Sequence, residues 1–487
     1  MITSVQLAIV DLVLIFLYFG AVLFVGFRAA KQTRSEIDDY LLAGRTLTLP
    51  MFVATLVSTW YGGILGVGEF SYRYGISNWF VLGFPYYLFA ILFALLLASR
   101  IRATNFVTIP DKLEASYDRR TALLGGVLTF LLVTPAPYVL MLGVLVHLIL
   151  RVDFTASILL STIIASVYLV QGGFRSGVWA NALQFVMMFL GFALIIPFAH
   201  AEFGGWEFIQ QNVPPLHLTL HGGNSWQYIV AWFFIALWTL VDPSFHQRCY
   251  AAENGKTAQK GILLSLLFWF IFDAMTSTAG LYARAALPGL PEPMYAYPML
   301  AERVLPPIAK GLFYVGMLAT IMSTLSSLLF ISASTVGKDI VGRLVHSDPP
   351  ANIDETIQRW TKIGMLIGGI VATGLALIVP SVVNIWYTIG TCIIPALLVP
   401  VVASYFEPLR MSSRFAFLAM LLGWIISTGS LIWGRVHAVE GTPQYWLGLE
   451  PMYPGLIAAV VVWGIGRVQL KMKTRKKKRT YPSELER

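Results

Sequence analysis

A row of hydroxyl side chains inside an apolar segment is the strongest chemical signal in this sequence. Within the apolar run 308–336, Thr320, Ser323, Thr324 and Ser327 stand at positions i, i+3, i+4 and i+7. A helix therefore places all four hydroxyls on one face. Neutral hard oxygens of this kind, together with backbone carbonyls, suit an alkali cation. The alternative is that the hydroxyls bond back to their own helix or allow close helix packing.

A glycine-rich stretch in an earlier apolar segment offers the carbonyls that a cation site needs. Between Ser58 and Glu69, four glycines occur within seven residues. Each glycine costs a helix interior about 1 kcal/mol relative to alanine, so the helix is predicted to unwind here. Unwound backbone at membrane depth has to be buried in protein or face a water-filled cavity. A packing seam against a neighbouring helix is the alternative interpretation.

Composition places both stretches in a membrane protein. Apolar residues make up 57% of the 487 residues and charged residues only 12%, and the mean hydropathy is +0.71. Apolar runs of about twenty residues recur along the whole chain, which is typical of a polytopic helical membrane protein. Thirteen spans are predicted, near residues 6–27, 50–70, 79–98, 122–150, 154–170, 178–199, 226–241, 262–283, 308–336, 363–379, 382–405, 415–433 and 452–465.

The distribution of lysine and arginine residues along the chain predicts the orientation of the protein in the membrane. Basic residues follow the first span and none precedes it, so this span is predicted to be retained with its N-terminus outside. An odd number of spans then puts the C-terminus in the cytoplasm, and most of the 34 lysines and arginines fall in the predicted inside loops. One membrane domain over 6–470 is predicted, followed by a basic tail over 471–487 that meets anionic lipid headgroups rather than nucleic acid.

Common catalytic signatures are missing from the sequence. There is no phosphate loop, no His/Glu zinc motif and no nucleophile elbow, and the two cysteines have no metal-ligand spacing. The sequence therefore predicts no enzyme, and in particular neither an ATPase nor a membrane hydrolase.

Four further motifs occur along the chain. They are the second span with the following 70–75, the turn 172–175 leading to Gln184, the stretch 247–252, and 323–327 followed by Lys338-Asp339. Taken together, these motifs resemble the sodium:solute symporter family, and the resemblance covers roughly residues 6–435.

This resemblance implies an all-α membrane protein with a five-plus-five inverted-repeat core of the amino-acid/sodium symporter type, plus one leading and two trailing helices. The repeats would span about 50–200 and about 225–405.

The resemblance also implies a sodium site between the second and ninth spans. On the ninth span it assigns the carbonyl of Thr320 and the hydroxyls of Ser323 and Thr324 as ligands. A transporter of this kind takes up solute by alternating access, with the solute near the bilayer midplane.

The ligands on the broken second span can be placed in two registers. Counting back seven residues from Gly66 gives the carbonyls of Leu56 and Thr59, whereas matching the Thr-Trp-aromatic-Gly-Gly pattern gives those of Ser58 and Tyr61. The small residue expected at the first position favours Ser58 and Tyr61.

Some relatives hold a further sodium with later hydroxyls of the same helix and an aspartate. Ser326 and Ser327 match those hydroxyls, but Asn181 stands at the aspartate position. Because a neutral amide lacks the charge that favours a second cation, one sodium ion per cycle is predicted.

Ionisable residues at membrane depth are further candidates, because each is costly to place there. Glu69 is predicted either to act as a gate or solute contact, or to be a solvated helix end. Asp273 has either a transport or proton role or a structural partner. Asp242 is predicted to cap a break and to pair with Arg248, and His147 to be a helix-end histidine.

Aromatic residues at membrane depth indicate a solute pocket, although packing is the alternative explanation. Aromatic faces suit an apolar or cationic part of a solute. No arginine lies in the middle of the fourth span, so a small neutral or zwitterionic solute is predicted, with an amino-acid-like one favoured. The predicted pocket residues are Trp60, Tyr61, Tyr138, Trp232, Phe233, Trp238 and Tyr387.

These observations predict a sodium-coupled symporter that takes a small organic solute into the cell across the plasma membrane, such as a bacterial inner membrane. Two alternatives stay open at this point. A transporter of the same fold could be coupled to protons, and a transporter-like domain could serve as a solute sensor. A passive channel is disfavoured by the lack of a filter sequence.

Overall fold

The computed structural model describes residues 5–32, 36–166, 169–345, 353–379, 381–439 and 443–480. Thirteen main helices follow one another and coincide with the thirteen predicted spans. Twelve are long and apolar enough to cross a membrane, and α5 is shorter and is followed by two residues outside the described ranges. The helices are α1 Ile9–Ala30, α2 Leu49–Tyr74, α3 Trp79–Arg102, α4 Arg119–Leu150, α5 Phe154–Ser166, α6 Leu169–Phe203, α7 Trp226–Ala251, α8 Gly255–Ala286, α9 Ala309–Leu344, α10 Ile353–Ile378, α11 Val382–Ser404, α12 Ser413–Val436 and α13 Met452–Met472.

Three helices form the enclosed centre of the bundle. In the most apolar stretch of α2, α4 and α9, 83%, 78% and 89% of the residues are buried, compared with 17% in α13. The first and last helices therefore lie at the periphery, whereas both stretches singled out from the sequence lie at the centre. The basic stretch that begins at Lys471 continues the last helix as far as Thr480.

The predicted break in α2 is confirmed. The helix consists of Leu49–Trp60 and Ile64–Tyr74, joined by a 3-10 turn over Tyr61–Gly63. Such a turn removes regular hydrogen-bond partners from the carbonyls just before it. The packing interpretation also holds, because a Cβ atom on Gly62 would lie 2.0 Å from the Thr324 hydroxyl.

α7 is also broken, at two places. Its segments are Trp226–Ile235, Trp238–Val241 and Pro243–Ala251. Asp242 has an extended backbone, and its carboxylate accepts hydrogen bonds from the amides of Ser244 at 2.6 Å and Phe245 at 3.3 Å. This carboxylate caps the inner segment, as predicted, and the following proline is well suited to the first position of a helix.

Candidate functional site

The hydroxyl face of α9 lies directly against the interruption in α2. The Ser323 hydroxyl donates a hydrogen bond of 2.8 Å to the carbonyl of Ser58, and the Thr324 hydroxyl donates to the carbonyl of Thr59. All four residues are buried. The two elements that the sequence predicts to hold a cation are therefore in contact.

Thr320 takes part through its backbone. Its carbonyl accepts a second bond from the Ser323 hydroxyl at 2.9 Å. Its own hydroxyl bonds back to the carbonyl of Gly316, one turn earlier, at 2.6 Å. The back-bonding alternative thus describes the Thr320 hydroxyl, while the Thr320 carbonyl contacts the Ser323 hydroxyl.

One carbonyl from each of the two predicted pairs of α2 ligands, Leu56/Thr59 and Ser58/Tyr61, contacts α9. The carbonyls of Ser58 and Thr59 accept hydroxyls of α9. Among the described residues, neither Leu56 nor Tyr61 accepts such a bond. The Tyr61 hydroxyl instead donates to the carbonyl of Trp269 at 2.9 Å. A role for the Tyr61 carbonyl as an ion ligand stays a prediction.

Five oxygens at the contact between α2 and α9 have a chemistry that fits a monovalent cation, and we call them the cation set. It consists of three carbonyls, those of Ser58, Thr59 and Thr320, and the hydroxyls of Ser323 and Thr324. Hydroxyl protons can rotate away from the carbonyls, which leaves the hydroxyl oxygens free to act as cation ligands. Divalent ions are usually held by carboxylates, and this set contains none. Sodium would therefore suit these residues better than calcium or magnesium.

Of the three residues predicted for a further cation site, Asn181, Ser326 and Ser327, the structure brings only two together. The Asn181 amide donates to the hydroxyls of Ser327 at 3.0 Å, Thr55 at 3.0 Å and Thr59 at 3.3 Å. The Ser326 hydroxyl instead bonds back to a carbonyl of its own helix at 3.2 Å. Asn181 and Ser327 therefore belong to one polar cluster, together with two threonines of α2, and Ser326 lies outside it.

A buried arginine shares these threonines. Nη2 of Arg248 donates to the Thr55 carbonyl at 3.2 Å, the Thr55 hydroxyl at 3.0 Å and the Thr59 hydroxyl at 2.7 Å, and Nη1 donates to the carbonyl of Ser244. The predicted ion pair between Arg248 and Asp242 is wrong. In the described part of the chain the guanidinium has no carboxylate within 4.0 Å, because neutral oxygens of α2 take its donors.

A cavity of about 130 Å³ lies beside the cation set. Pockets for drug-sized ligands usually measure about 300–1,000 Å³, so this cavity suits a small solute. Thr59 and Thr324 belong to its wall as well as to the cation set. The predicted pocket residues in its wall are Trp60, Tyr61, Tyr138, Trp232 and Trp238.

Aromatic contacts hold the cavity wall in place. The ring of Trp60 lies 5.2 Å from that of Tyr86, 5.3 Å from Phe245 and 5.4 Å from Trp269. Ring centroids at such distances attract each other through their edges and faces. Packing and a place in the cavity wall are therefore not exclusive alternatives for Trp60, because the ring that packs against these three residues also lines the cavity.

Two carboxylates complete the wall, those of Asp242 and Asp273. Asp273 accepts a hydrogen bond from the hydroxyl of Tyr87, so its structural partner is a neutral group. Among the described residues, no lysine, arginine or histidine lines the cavity. The wall therefore combines aromatic side chains with two carboxyl groups.

The remaining ionisable candidates lie at helix ends. Glu69 forms an ion pair with Arg73 at 3.2 Å, and both line a second cavity that also contains Glu292. His147 contacts the carbonyl of Val152 at 2.7 Å, as expected for a helix-end histidine.

Comparison of the sequence with models of protein families identifies the family of this chain. The model of the sodium:solute symporter family matches residues 40–423, which is most of the chain and includes both the cation set and the cavity. The chain belongs to the sodium:solute symporter family. It is accordingly a membrane transporter and not an enzyme.

Curated relatives of this symporter differ in the solute that their names carry. The sodium/pantothenate symporter of Escherichia coli (strain K12) is 26% identical over 466 residues, which cover 90% of this chain and 91% of the relative. The high affinity choline transporter 1 of Homo sapiens is 25% identical over 413 residues, which cover 77% and 69%. Family membership alone therefore leaves the solute of this symporter open.

A solved structure shows the fold of this symporter. A Na+-coupled sialic acid symporter in a substrate-bound outward-open state matches with a TM-score of 0.76 and 17% identity, covering 94% of this chain and 98% of that one. The protein thus has the inverted-repeat fold of sodium symporters, with one leading and two trailing helices.

Two predicted pocket residues of the symporter lie outside the central cavity. The ring of Phe233 packs against Phe80 and Phe84, at 6.0 Å from each. The Tyr387 hydroxyl donates to Glu450. Neither residue belongs to the cavity wall. Neighbouring residues on a helix point about 100° apart, so Trp232 and Phe233 do not face the same space.

Sequence reasoning missed two aromatic residues of the wall, Trp386 and Tyr86. Trp386 directly precedes the predicted Tyr387, so the helix was found but the wrong face was chosen. A Cβ atom on Gly63 would lie 2.2 Å from the Trp386 ring. This contact between distant parts of the chain gives no local sequence signal.

Proposed function

We propose that the protein is a sodium-coupled secondary active symporter that takes up a small organic solute bearing an ammonium group. One sodium ion would bind between α2 and α9, and the solute would bind in the central cavity during alternating access. The proposal depends on one observation above all: Thr59 and Thr324 bond to each other and also line the cavity.

This shared wall supports coupling. An ion on the carbonyl of Thr59 and the hydroxyl of Thr324 would fix the position of these residues, and with it one side of the cavity. Solute in the cavity would in turn hold the same residues in place for the ion. Two ligands that stabilise the same arrangement bind cooperatively, and the effect is reciprocal.

The chemistry of the cavity wall supports the solute class. Trp60, Trp232 and Trp386 line the cavity with aromatic rings, whose faces attract cations, and Asp242 and Asp273 add carboxyl groups, which attract cations when they are ionised. A solute with a net negative charge would meet no basic side chain in this wall. Permanently cationic solutes and zwitterionic, amino-acid-like solutes both carry an ammonium group, so both fall within the proposed class.

The proposed orientation has the N-terminus outside and the C-terminus in the cytoplasm. An odd number of main helices and the excess of basic residues on one side support it. In this orientation the basic stretch that starts at Lys471 would lie against anionic headgroups of the inner leaflet. Cysteine accessibility at each terminus in intact cells would test the orientation.

A thermal-shift screen for the solute, followed by measurements of its uptake, tests the proposed sodium-coupled transport. Thermal-shift measurements of the purified protein with small metabolites, each with and without sodium, would identify a solute. Uptake into proteoliposomes would then be driven by an imposed sodium gradient or by an equal proton gradient. Each ammonium solute would be compared with its neutral isostere, in which carbon replaces nitrogen.

Sodium-driven uptake of the ammonium solute, with at least tenfold weaker uptake of the isostere, is the expected result; this ratio corresponds to about 1.4 kcal/mol. Uptake driven by the proton gradient alone would favour proton coupling. Equal uptake of the isostere would contradict the ammonium class but leave sodium coupling intact. Sodium-dependent binding with no uptake under either gradient would favour a sensor.

A further inference from the structure

A second group of oxygens lies next to the cation set and already contains a positive charge. We name it the Thr55 cluster and define it by Thr55, Thr59, Asn181 and Ser327. Its hydroxyls lie within hydrogen-bond distance of one another or of the Asn181 amide. Three different membrane helices, α2, α6 and α9, contribute to it.

The guanidinium of Arg248 reaches into this cluster from α7. Its Nη2 donates to three oxygens of Thr55 and Thr59, at distances from 2.7 to 3.2 Å. The whole residue has 0% exposure. A buried charge is usually paired with an opposite charge, but in the described part of the chain the hydrogen-bond partners of Arg248 are neutral oxygens, and Asp242 interacts with it only from beyond 4.0 Å.

The cluster also has unused capacity for a positive charge. The amide oxygen of Asn181 is buried and lacks a hydrogen-bond partner among the described residues, and so does Nε of Arg248. Buried polar atoms are normally satisfied, so an unsatisfied oxygen beside a cation is a notable exception. An aspartate at position 181 would turn this oxygen into a charged ligand.

We infer that Arg248 is a tethered cation that occupies the Thr55 cluster and so restricts coupling to one sodium ion per solute. The carbonyl of Thr59 belongs to the cation set, while its hydroxyl accepts a hydrogen bond from Arg248. A free cation in the Thr55 cluster would share its ligands with the guanidinium and be repelled by it. This inference rests on the proposed sodium coupling and assigns Arg248 a positioning and stoichiometry-setting role.

The test combines two substitutions in the full-length protein. Arg248→Gln removes the tethered charge, and Asn181→Asp supplies a carboxylate in its place. The wild-type protein should show a Hill coefficient for sodium of about 1, and the double variant should exceed about 1.5, because the coefficient can rise with the number of coupled sites. Arg248→Lys, which keeps the charge, and Asn181→Asp alone are the matched controls and should stay near about 1.

Direct ion binding makes the test independent of transport. Equilibrium binding of radioactive sodium to purified protein should give one ion per chain in the wild type and two in the double variant. Two ions per chain in the wild type would overturn the inference and leave sodium coupling standing. One ion in a folded double variant would overturn it as well. A wild-type protein whose uptake ignores sodium would instead overturn the proposed function, and this inference with it.

Discussion

The broken helices α2 and α7 differ in the residues that interrupt them and in the groups that each interruption exposes. α2 is interrupted at Tyr61–Gly63, within a glycine-rich stretch, and it presents neutral carbonyls to the hydroxyls of α9. α7 is interrupted at Asp242 and is capped by that carboxylate, with Trp232 and Trp238 close by in the same helix. In the proposed function, the first break would hold the small bare cation and the second would contact the positive group of the organic solute.

The comparison also explains why glycine marks one break and an Asp-Pro pair the other. A cation site needs backbone oxygens at close range, and bulky side chains would hold the neighbouring helix away. A solute site needs space and side-chain chemistry, so its break is fixed by a capping carboxylate and a proline. The two breaks meet at one cavity, where Trp60 comes from α2 and Asp242 from α7.

The largest expected effect comes from filling the close contact at the first break. Gly62→Ala should abolish sodium-driven uptake, because the new Cβ would lie 2.0 Å from the Thr324 hydroxyl oxygen and push α9 away. Gly374→Ala, where no atom lies within 4 Å of the new Cβ, is the matched control and should transport like the wild type. Uptake in proteoliposomes measures both. Wild-type uptake by Gly62→Ala would show that the contact is dispensable.

Removing one oxygen at the first break should weaken sodium binding without changing solute selectivity. For Ser323→Ala and for Thr324→Ala, the sodium concentration at half-maximal uptake should rise by roughly tenfold, equivalent to about 1.4 kcal/mol. Sodium titration of initial uptake rates measures this. Normal sodium activation in both variants would remove the hydroxyls from the ion site.

At the second break, neighbouring aromatic residues separate cavity contact from packing. Trp232→Leu should raise the KM for the solute by roughly fivefold to thirtyfold, since a desolvated cation–aromatic contact is worth about 1–2 kcal/mol. Phe233→Leu, on the same helix but outside the cavity, should leave the KM within about twofold, as most changes away from a site have small effects. Equal effects of the two substitutions would contradict the assigned cavity wall.

The smallest effect is expected at Asp273. Asp273→Asn keeps an oxygen that can accept the hydrogen bond from Tyr87 but removes one negative charge from the cavity. The KM for an ammonium solute should rise by a few fold at a pH where the Asp273 carboxyl is ionised, and the difference from the wild type should shrink as the pH falls and that carboxyl becomes protonated. An equal KM in the two proteins at every pH would contradict a contact between Asp273 and the solute.

Local sequence signals predicted the helices and the two stretches that meet at the candidate ion site. Apolar runs located all thirteen main helices, the glycine cluster predicted the interruption of α2, and hydroxyl spacing placed Ser323 and Thr324 on one face of α9 together with Thr320 and Ser327. Each of these features is a property of a short stretch of chain. Their meaning is therefore visible before the chain folds.

Features that depend on distant contacts were not predicted. Arg248 was assigned to nearby Asp242, but its Nη2 partners, Thr59 and Thr55, are 189 and 193 residues away in sequence, and only Nη1 bonds nearby, to the carbonyl of Ser244. Trp386 was missed because only the fold shows which face of α11 approaches the glycines of α2. Sequence periodicity identifies the faces of a helix, and tertiary packing decides what each face meets.

The contact between Gly62 and Thr324 has a consequence for evolution. The two positions share one fixed volume, since the methyl group of an alanine at 62 would occupy the space that the threonine side chain fills. A chain that gains a methyl group at one of these positions has to lose side-chain atoms at the other. Natural variation at residues 62 and 324 should therefore be correlated in size, although 261 positions separate them along the polypeptide.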